Sequence, residues 1–330
     1  MDIKSAIRQW MLPIAMLTGA SVYLIYHVLP PEFHEAGPLL EDIIGVVQPL
    51  LIFSMLFLTF CRIEPRDLKV RKWHWLLLAT QGVLFTLLGF AAFGVLRMFP
   101  KAGHDALVLI ESAMLCLICP TATAAAVLTR KLGGDVAGIT TYTVLINMLV
   151  AFLVPLVVPM LYPVEGMSFG VAFGLILAKI FPLLILPCLA AWMVRYLFPR
   201  LHRWLLGFPD LAFYIWSVSL TLAIAVSVKY LVSSTLGLGM IGLIAFVSLI
   251  CAVFQFAFGR YVGSRLHSGC EGREACKVTA GQSLGQKNTV FAIWMAYTFM
   301  SPETAIVGGF YSIWHNIFNS WQLRKKSISV

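Results

Sequence analysis

Residues 277–300 read KVTAGQSLGQKNTVFAIWMAYTFM. The second half of this stretch is apolar and the first half is not. Gln282, Ser283, Gln286, Lys287, Asn288 and Thr289 form one polar cluster, with Gly281 and Gly285 beside them. Only residues 289–300 follow before Ser301. That run is too short to cross a bilayer, which takes about 20 residues as a helix. The polar half therefore belongs at membrane depth as well. A lysine there costs roughly 2.5–3.5 kcal/mol on insertion scales, so it is expected to face protein or water rather than lipid. A glycine-flanked, amide-rich stretch at that depth predicts an unwound turn lining a cavity.

A second stretch behaves in the same way. Residues 111–131 read ESAMLCLICPTATAAAVLTRK. Pro120 has no backbone N–H and clashes with the preceding turn, so it kinks or breaks the helix. A break leaves N–H groups without partners at the start of the second half, at a positive dipole end. Thr121 and Thr123 follow it. The plainer alternative is a proline kink patched by threonine hydroxyls.

The rest of the chain supplies the setting. Of its 330 residues, 60% are hydrophobic and 12% charged, against roughly 25% charged in a soluble domain. So little charge does not cover a water-facing surface. The apolar residues come in runs of about twenty, the length of a membrane-spanning helix, and the alternation of a barrel strand is absent. The fold class expected is an all-α integral membrane protein of ten spans, near 10–29, 39–61, 73–98, 106–132, 135–162, 168–194, 210–230, 235–262, 275–299 and 302–323. The first apolar run reads as a span and not as a cleaved signal, since no small-residue cleavage site follows it before Pro30.

The charges test this map. With both termini cytoplasmic, nineteen of the 24 basic residues face the cytoplasm, and only Arg97, Lys101 and Lys229 face outward. Such a bias is a positive-inside signal, and it explains the net charge of +9 without nucleic acid. The location expected is a bacterial inner membrane or plasma membrane. Lys179 and Lys287 fall inside spans, as does Glu111. Glu111 is near enough to the outer end of its span to snorkel. Lys179 is near the midplane, where it would pair with Glu111 or face the cavity. His315 and Asn316, in YSIWHNIFNSW at 311–321, sit at mid-depth with Asn319.

Splitting the chain near residue 165 puts Pro120 and Gly285 at the same offset, 165 residues apart. Five spans per half is an odd number, so the second half enters the membrane from the opposite side. This is an inverted repeat, and paired interrupted segments in its two halves point to a transport site. The expectation is a single polytopic domain, with repeat one over about 1–165 and repeat two over about 166–330.

Other signals are weaker. Cys116 and Cys119 are spaced C-x-x-C, but on a helix without a histidine or second pair nearby. Cys270 and Cys276 share a loop that this topology places in the cytoplasm, where disulfides are rare. The sequence has no P-loop and no H-E-x-x-H, so neither an ATP-driven pump nor an enzyme is expected.

The chain resembles the bile acid:sodium symporter family in its small-organic-anion branch. The run LLIFSMLFLTFCRIEPRDLK at 50–69 is similar to that family's second span and basic exit. Gln81 stands where members carry a third-span glutamine. CPTATAAAV at 119–127 resembles their C-P-G-G-T-A-S-N-V, GQKN at 285–288 their ninth-span turn, and WHN at 314–316 a segment of their tenth span. The resemblance implies two inverted five-helix repeats, with interleaved panel and core subdomains and discontinuous crossing helices four and nine. It also implies sodium sites, and here the chain departs from the family. Ala125 and Ala126 stand where Ser-Asn would bind sodium, and Ile139 and Thr143 leave one hydroxyl of two. The shared glutamate falls on Ser283 or Gln282, and a glutamine ligand becomes Lys287. Gln81, Thr143, Gln282 and Ser283 are then the remnant of an ion site.

The function expected is alternating-access transport of a small organic anion, held by Thr121, Thr123, Gln286, Lys287, Asn288, Thr289, Lys179, His315 and Asn316. No cofactor is expected, and strong sodium coupling is not. Proton coupling, exchange and uniport stay open. The partners are the anion and the lipid bilayer. Alternatives are metalloid or arsenite efflux on a related fold, with Cys119 as the thiol, and a non-transporting membrane sensor.

Overall fold

The computed structural model describes residues 3–99, 103–163, 166–208, 210–267 and 269–328. Lys101, which entered the charge count, lies outside them. The described residues form fifteen α-helices and two short 3-10 turns at Pro65–Asp67 and Pro302–Thr304. The helices are α1 Ile3–Val28, α2 Pro31–His34, α3 Gly37–Phe60, α4 Lys72–Met98, α5 His104–Ile118, α6 Ala125–Lys131, α7 Val136–Leu161 and α8 Phe169–Leu184. They continue as α9 Leu186–Leu197, α10 Pro199–Leu206, α11 Leu211–Ser233, α12 Leu238–Arg265, α13 Arg273–Gly285, α14 Thr289–Phe299 and α15 Ala305–Ile328.

Among the described residues, six helical stretches are long and apolar enough to cross a membrane, and seven when the bent pair α8–α9 is taken as one span. The expected spans 106–132 and 275–299 are each two shorter helices, α5 with α6 and α13 with α14. The expected span 302–323 starts in the 3-10 turn at Pro302–Thr304 and continues in α15, where His315, Asn316, Asn319, Gln322 and a basic end dilute the apolar run. One break was not expected. Residues 168–194 do not form a straight helix, because α8 and α9 meet at an angle of 42°. Pro182 lies in the last turn of α8 and Pro187 in the first turn of α9, so two ladder N–H groups are missing around the bend.

Three helices begin at a residue whose side chain replaces a missing partner. Asp135 accepts from Gly138 N at the start of α7, Ser168 from Val171 N at α8, and Asn288 from Phe291 N at α14. Asp135 also pairs with Arg71, and its own N–H donates to Thr279 Oγ1 at 2.7 Å, which ties α13 to α4 and α7.

The bundle carries its polarity inside. Leu17, Ile25, Leu87, Phe90, Phe246 and Ile250 are exposed. Gln48, Gln81, Glu111, Asn147, Gln255 and Lys287 are buried. This distribution suits lipid on the outside, because polar groups in a bilayer have to face the bundle interior. The protein is an integral, multi-pass membrane protein.

α12 lies flat along α13. A Cβ on Gly259 would sit 2.4 Å from Ala280 O, and one on Gly263 would sit 2.3 Å from Cys276 O. Only glycine permits that approach, and small residues at a membrane helix interface serve this purpose. The loop between the two helices corrects one expectation. Cys270 and Cys276 are joined in a disulfide, with Cα atoms 5.4 Å apart. The chain doubles back between them through Gly272 at φ 99°, a left-handed conformation that glycine adopts at little cost.

Candidate functional site

The two broken helices meet at their breaks. α5 stops at Ile118, and Cys119 leaves the helix with φ −49° and ψ 134°. α13 stops at Gly285, and Gln286 leaves it with φ −88° and ψ 97°. The two extended stretches run antiparallel, with Thr121 opposite Lys287. Ala122 N donates to Gln286 O at 2.9 Å, and Asn288 N donates to Pro120 O at 2.8 Å. Each break therefore fills part of the other's missing hydrogen-bond ladder.

The carbonyls left over at the helix ends also find partners, as buried backbone groups must. Leu117 O accepts from Lys287 Nζ at 3.0 Å and also from Gln81 Nε2. Tyr142 OH holds Gln81 in place through its Oε1. Cys116 O accepts from Gln255 Nε2 at 3.1 Å. Ser283 O accepts from Thr121 Oγ1, and Gly285 O from Tyr311 OH. Cys119 Sγ donates to Asn288 O at 2.8 Å. Beyond the break, Asn319 Nδ2 donates to Gln286 Oε1 at 2.7 Å, and Gln282 Nε2 donates to Asn319 Oδ1. Ser312 Oγ donates to Thr289 Oγ1 at 2.6 Å.

Not every polar atom is satisfied. Ser283 Oγ, Gln282 Oε1 and the amide nitrogen of Asn288 are buried without a partner. Lys287 is 2% exposed, and its amine makes one hydrogen bond, to a carbonyl. No ion pair among the described residues involves it. The thiols of Cys116, Cys119 and Cys251 lie within its electrostatic reach. The crossing thus holds an amine and an amide N–H2 with donor capacity to spare.

Of the residues singled out from sequence, Thr121, Gln282, Ser283, Gln286, Lys287, Asn288, Thr289 and Gln81 come together here. Others do not. Lys179 is exposed on α8, with its Nζ 5.8 Å from the centre of the Phe299 ring. It pairs neither with Glu111 nor with the crossing, because the rotation of α8 turns it outward. Glu111 does not snorkel. It is fully buried and accepts from Tyr162 OH, from Ser301 N at 3.1 Å and from Thr304 Oγ1 at 2.9 Å. Thr143 and Asn316 spend their side chains on carbonyls of their own helices, Ile139 O and Ser312 O. Thr123 is half-buried just past the break. His315 is buried, edge-on to Tyr311 at 5.7 Å, with Nδ1 unpartnered.

Sequence reasoning missed Tyr142, Gln255 and Tyr311, and gave Asn319 no role. A buried glutamine on the apolar α12 was the one local signal, since an amide at that depth needs partners.

A search of curated proteins finds no match to the chain. The family model of the SBF-like CPA transporters, a family related to the bile acid:sodium symporters, matches residues 11–324. That match covers nearly the whole chain and both broken helices, and the protein therefore belongs to the SBF-like CPA transporter family.

Proposed function

We propose that the protein is a secondary transporter of a small organic anion, built of ten spans in two inverted repeats and working by alternating access. Both termini face the cytoplasm, and α5–α6 and α13–α14 are the discontinuous crossing spans four and nine. The observation that carries this reading is Lys287. A buried lysine with one carbonyl acceptor and no carboxylate partner has an uncompensated charge when protonated, and a bound carboxylate or sulfonate would compensate it. The unpartnered amide nitrogen of Asn288 adds a neutral donor beside it. Half-helix starts at membrane depth favour anions for the same electrostatic reason.

Sodium coupling is not strong in this reading. A sodium site needs several oxygens converging on one point. Ala125, Ala126 and Ile139 offer none, and Gln81 spends its amide on Leu117 O and its oxygen on Tyr142. Lys287 reaches that same carbonyl, so the lysine stands in the place of a coupling cation. The test is a thermal-shift screen of organic anions on the purified protein, in sodium and in choline buffer at equal ionic strength. Stabilisation by an anion in both buffers, lost in Lys287→Ala, supports the reading. Stabilisation that requires sodium, or that survives Lys287→Ala unchanged, overturns it.

One observation favours a second reading, the efflux of a thiophilic metalloid. Cys119 donates directly to the second break, and Cys116 lies in the last turn of α5 just before Cys119. Replacing Cys119 by alanine separates the two. Metalloid binding is lost in that variant, and organic-anion binding is kept.

A further inference from the structure

A second polar feature lies away from the crossing. Between α12, α13 and α15 is an open slot of about 420 Å³. Val253, Phe256, Ala257 and Phe318 form apolar walls, while Arg260 and Lys277 supply charge. The slot faces the exterior of the bundle, where Val253, Tyr261 and Trp321 are exposed.

The charges gather at one end. Arg260 lies on α12, half-buried, with Nη1 3.4 Å from Gln322 Oε1. Lys277 lies on α13, with Glu274 at 3.2 Å as its carboxylate. Two further cations flank the slot by stacking on its aromatic rims. The Arg265 guanidinium is 5.5 Å from the Tyr261 ring, and Lys325 Nζ is 5.6 Å from the Trp321 ring. Arg260 and Lys277 thus sit at the end of an apolar slot that is open along its side. Tyrosine and tryptophan at the rim mark the depth where acyl chains give way to headgroups.

We propose that this slot is a binding site for an anionic phospholipid of the surrounding bilayer. One acyl chain lies against Phe256, Phe318 and Val253, and the headgroup phosphate meets Arg260 and Lys277. Basic pockets between membrane helices hold anionic headgroups by this combination of charge and apolar wall. A free phosphate ion makes no use of the wall, and a zwitterionic lipid gains less from the cations. The site also touches α13 where it approaches the crossing. The stem of Arg260 lies against Gly281, where a Cβ would sit 2.6 Å from Arg260 Cγ. The ring of Phe256 lies against Gly285, where a Cβ would sit 2.5 Å from it. A lipid in the slot therefore braces α13 from outside, immediately before its break. This assignment does not depend on the identity of the transported cargo.

Native mass spectrometry of the full chain tests it, with phosphatidylglycerol or phosphatidylcholine of equal chain length added to detergent. Wild type is expected to retain phosphatidylglycerol over phosphatidylcholine, by about fivefold for each cation that meets the headgroup. In the double variant Arg260→Gln, Lys277→Gln that preference is expected to fall to near that of phosphatidylcholine. Ala257→Trp, which fills the slot, is expected to lower retention of both lipids. Should that variant fail to elute as a monodisperse species, the charge pair decides the matter alone. Equal retention of the two lipids by wild type overturns the proposal, as does an undiminished preference in the double variant. Inorganic phosphate is the third arm. If it displaces phosphatidylglycerol at comparable concentration, the site is one for free anions and the lipid assignment falls.

Discussion

Glu111 and Lys287 are both buried charges in the membrane interior, and they are treated in opposite ways. Three donors from two other parts of the chain converge on the Glu111 carboxylate: the Tyr162 hydroxyl at the end of α7, and Ser301 N and Thr304 Oγ1 in the turn before α15. They make it a clasp between α5, α7 and that turn. Lys287 has one carbonyl and a neighbour, Asn288, with an unpartnered amide nitrogen. A satisfied buried charge holds structure together. An unsatisfied one is tolerated where a ligand completes it. Under the proposed function, this difference separates scaffold from site more sharply than residue type does.

The comparison breaks most visibly at Lys287→Glu. A carboxylate there faces Leu117 O and an incoming anion, and two like charges about 4 Å apart at an effective dielectric of about 20 cost about 4 kcal/mol. Anion affinity measured by thermal shift or uptake should fall by roughly a thousandfold, and Lys287→Ala should lose less. Equal affinity in all three proteins would make the lysine a structural residue like Glu111. The converse substitution is Glu111→Ala, which strands three donors at about 1–3 kcal/mol for each unsatisfied group. It should lower Tm while the folded protein keeps its anion affinity, and Glu111→Gln, which retains one acceptor, should lower Tm less. Loss of affinity at constant Tm would move Glu111 from scaffold to site. Cys119→Ala removes one hydrogen bond to Asn288 O, a net effect of about 1 kcal/mol. Tm should shift slightly and organic-anion uptake should persist. Exchanging sodium for choline should change uptake little, and a saturable sodium stimulation would reveal oxygen ligands beyond those described. The smallest effect belongs to Lys179→Met, since that lysine points outward over Phe299. A strong loss of uptake would show that α8 rotates to bring it inward.

Sequence reading located both breaks because their causes are local. Pro120 lacks an N–H, and the Gly285–Asn288 stretch is too polar and too flexible to continue a helix in lipid. The 42° bend between α8 and α9 had a local cause too, in Pro182 and Pro187, and was legible in principle. The clasp around Glu111 was not, because Tyr162, Ser301 and Thr304 lie 51 to 193 residues away in the chain. Nor was the outward turn of Lys179, which depends on the rotation of α8 about its axis. Depth in the membrane can be counted along a sequence, but the direction in which a side chain faces depends on what the helix packs against.

The two strands at the crossing are joined through backbone atoms, Ala122 N to Gln286 O and Asn288 N to Pro120 O. Main-chain groups are common to all residues, apart from the nitrogen of proline. The joint therefore places no chemical demand on the side chains at positions 122 and 286, and at 121 and 287 the demand is only on what they reach. Apart from proline at 122, a substitution at these positions leaves the backbone joint in place. Under the proposed function, selectivity is then a matter of side chains hung on a joint that the main chain holds by itself.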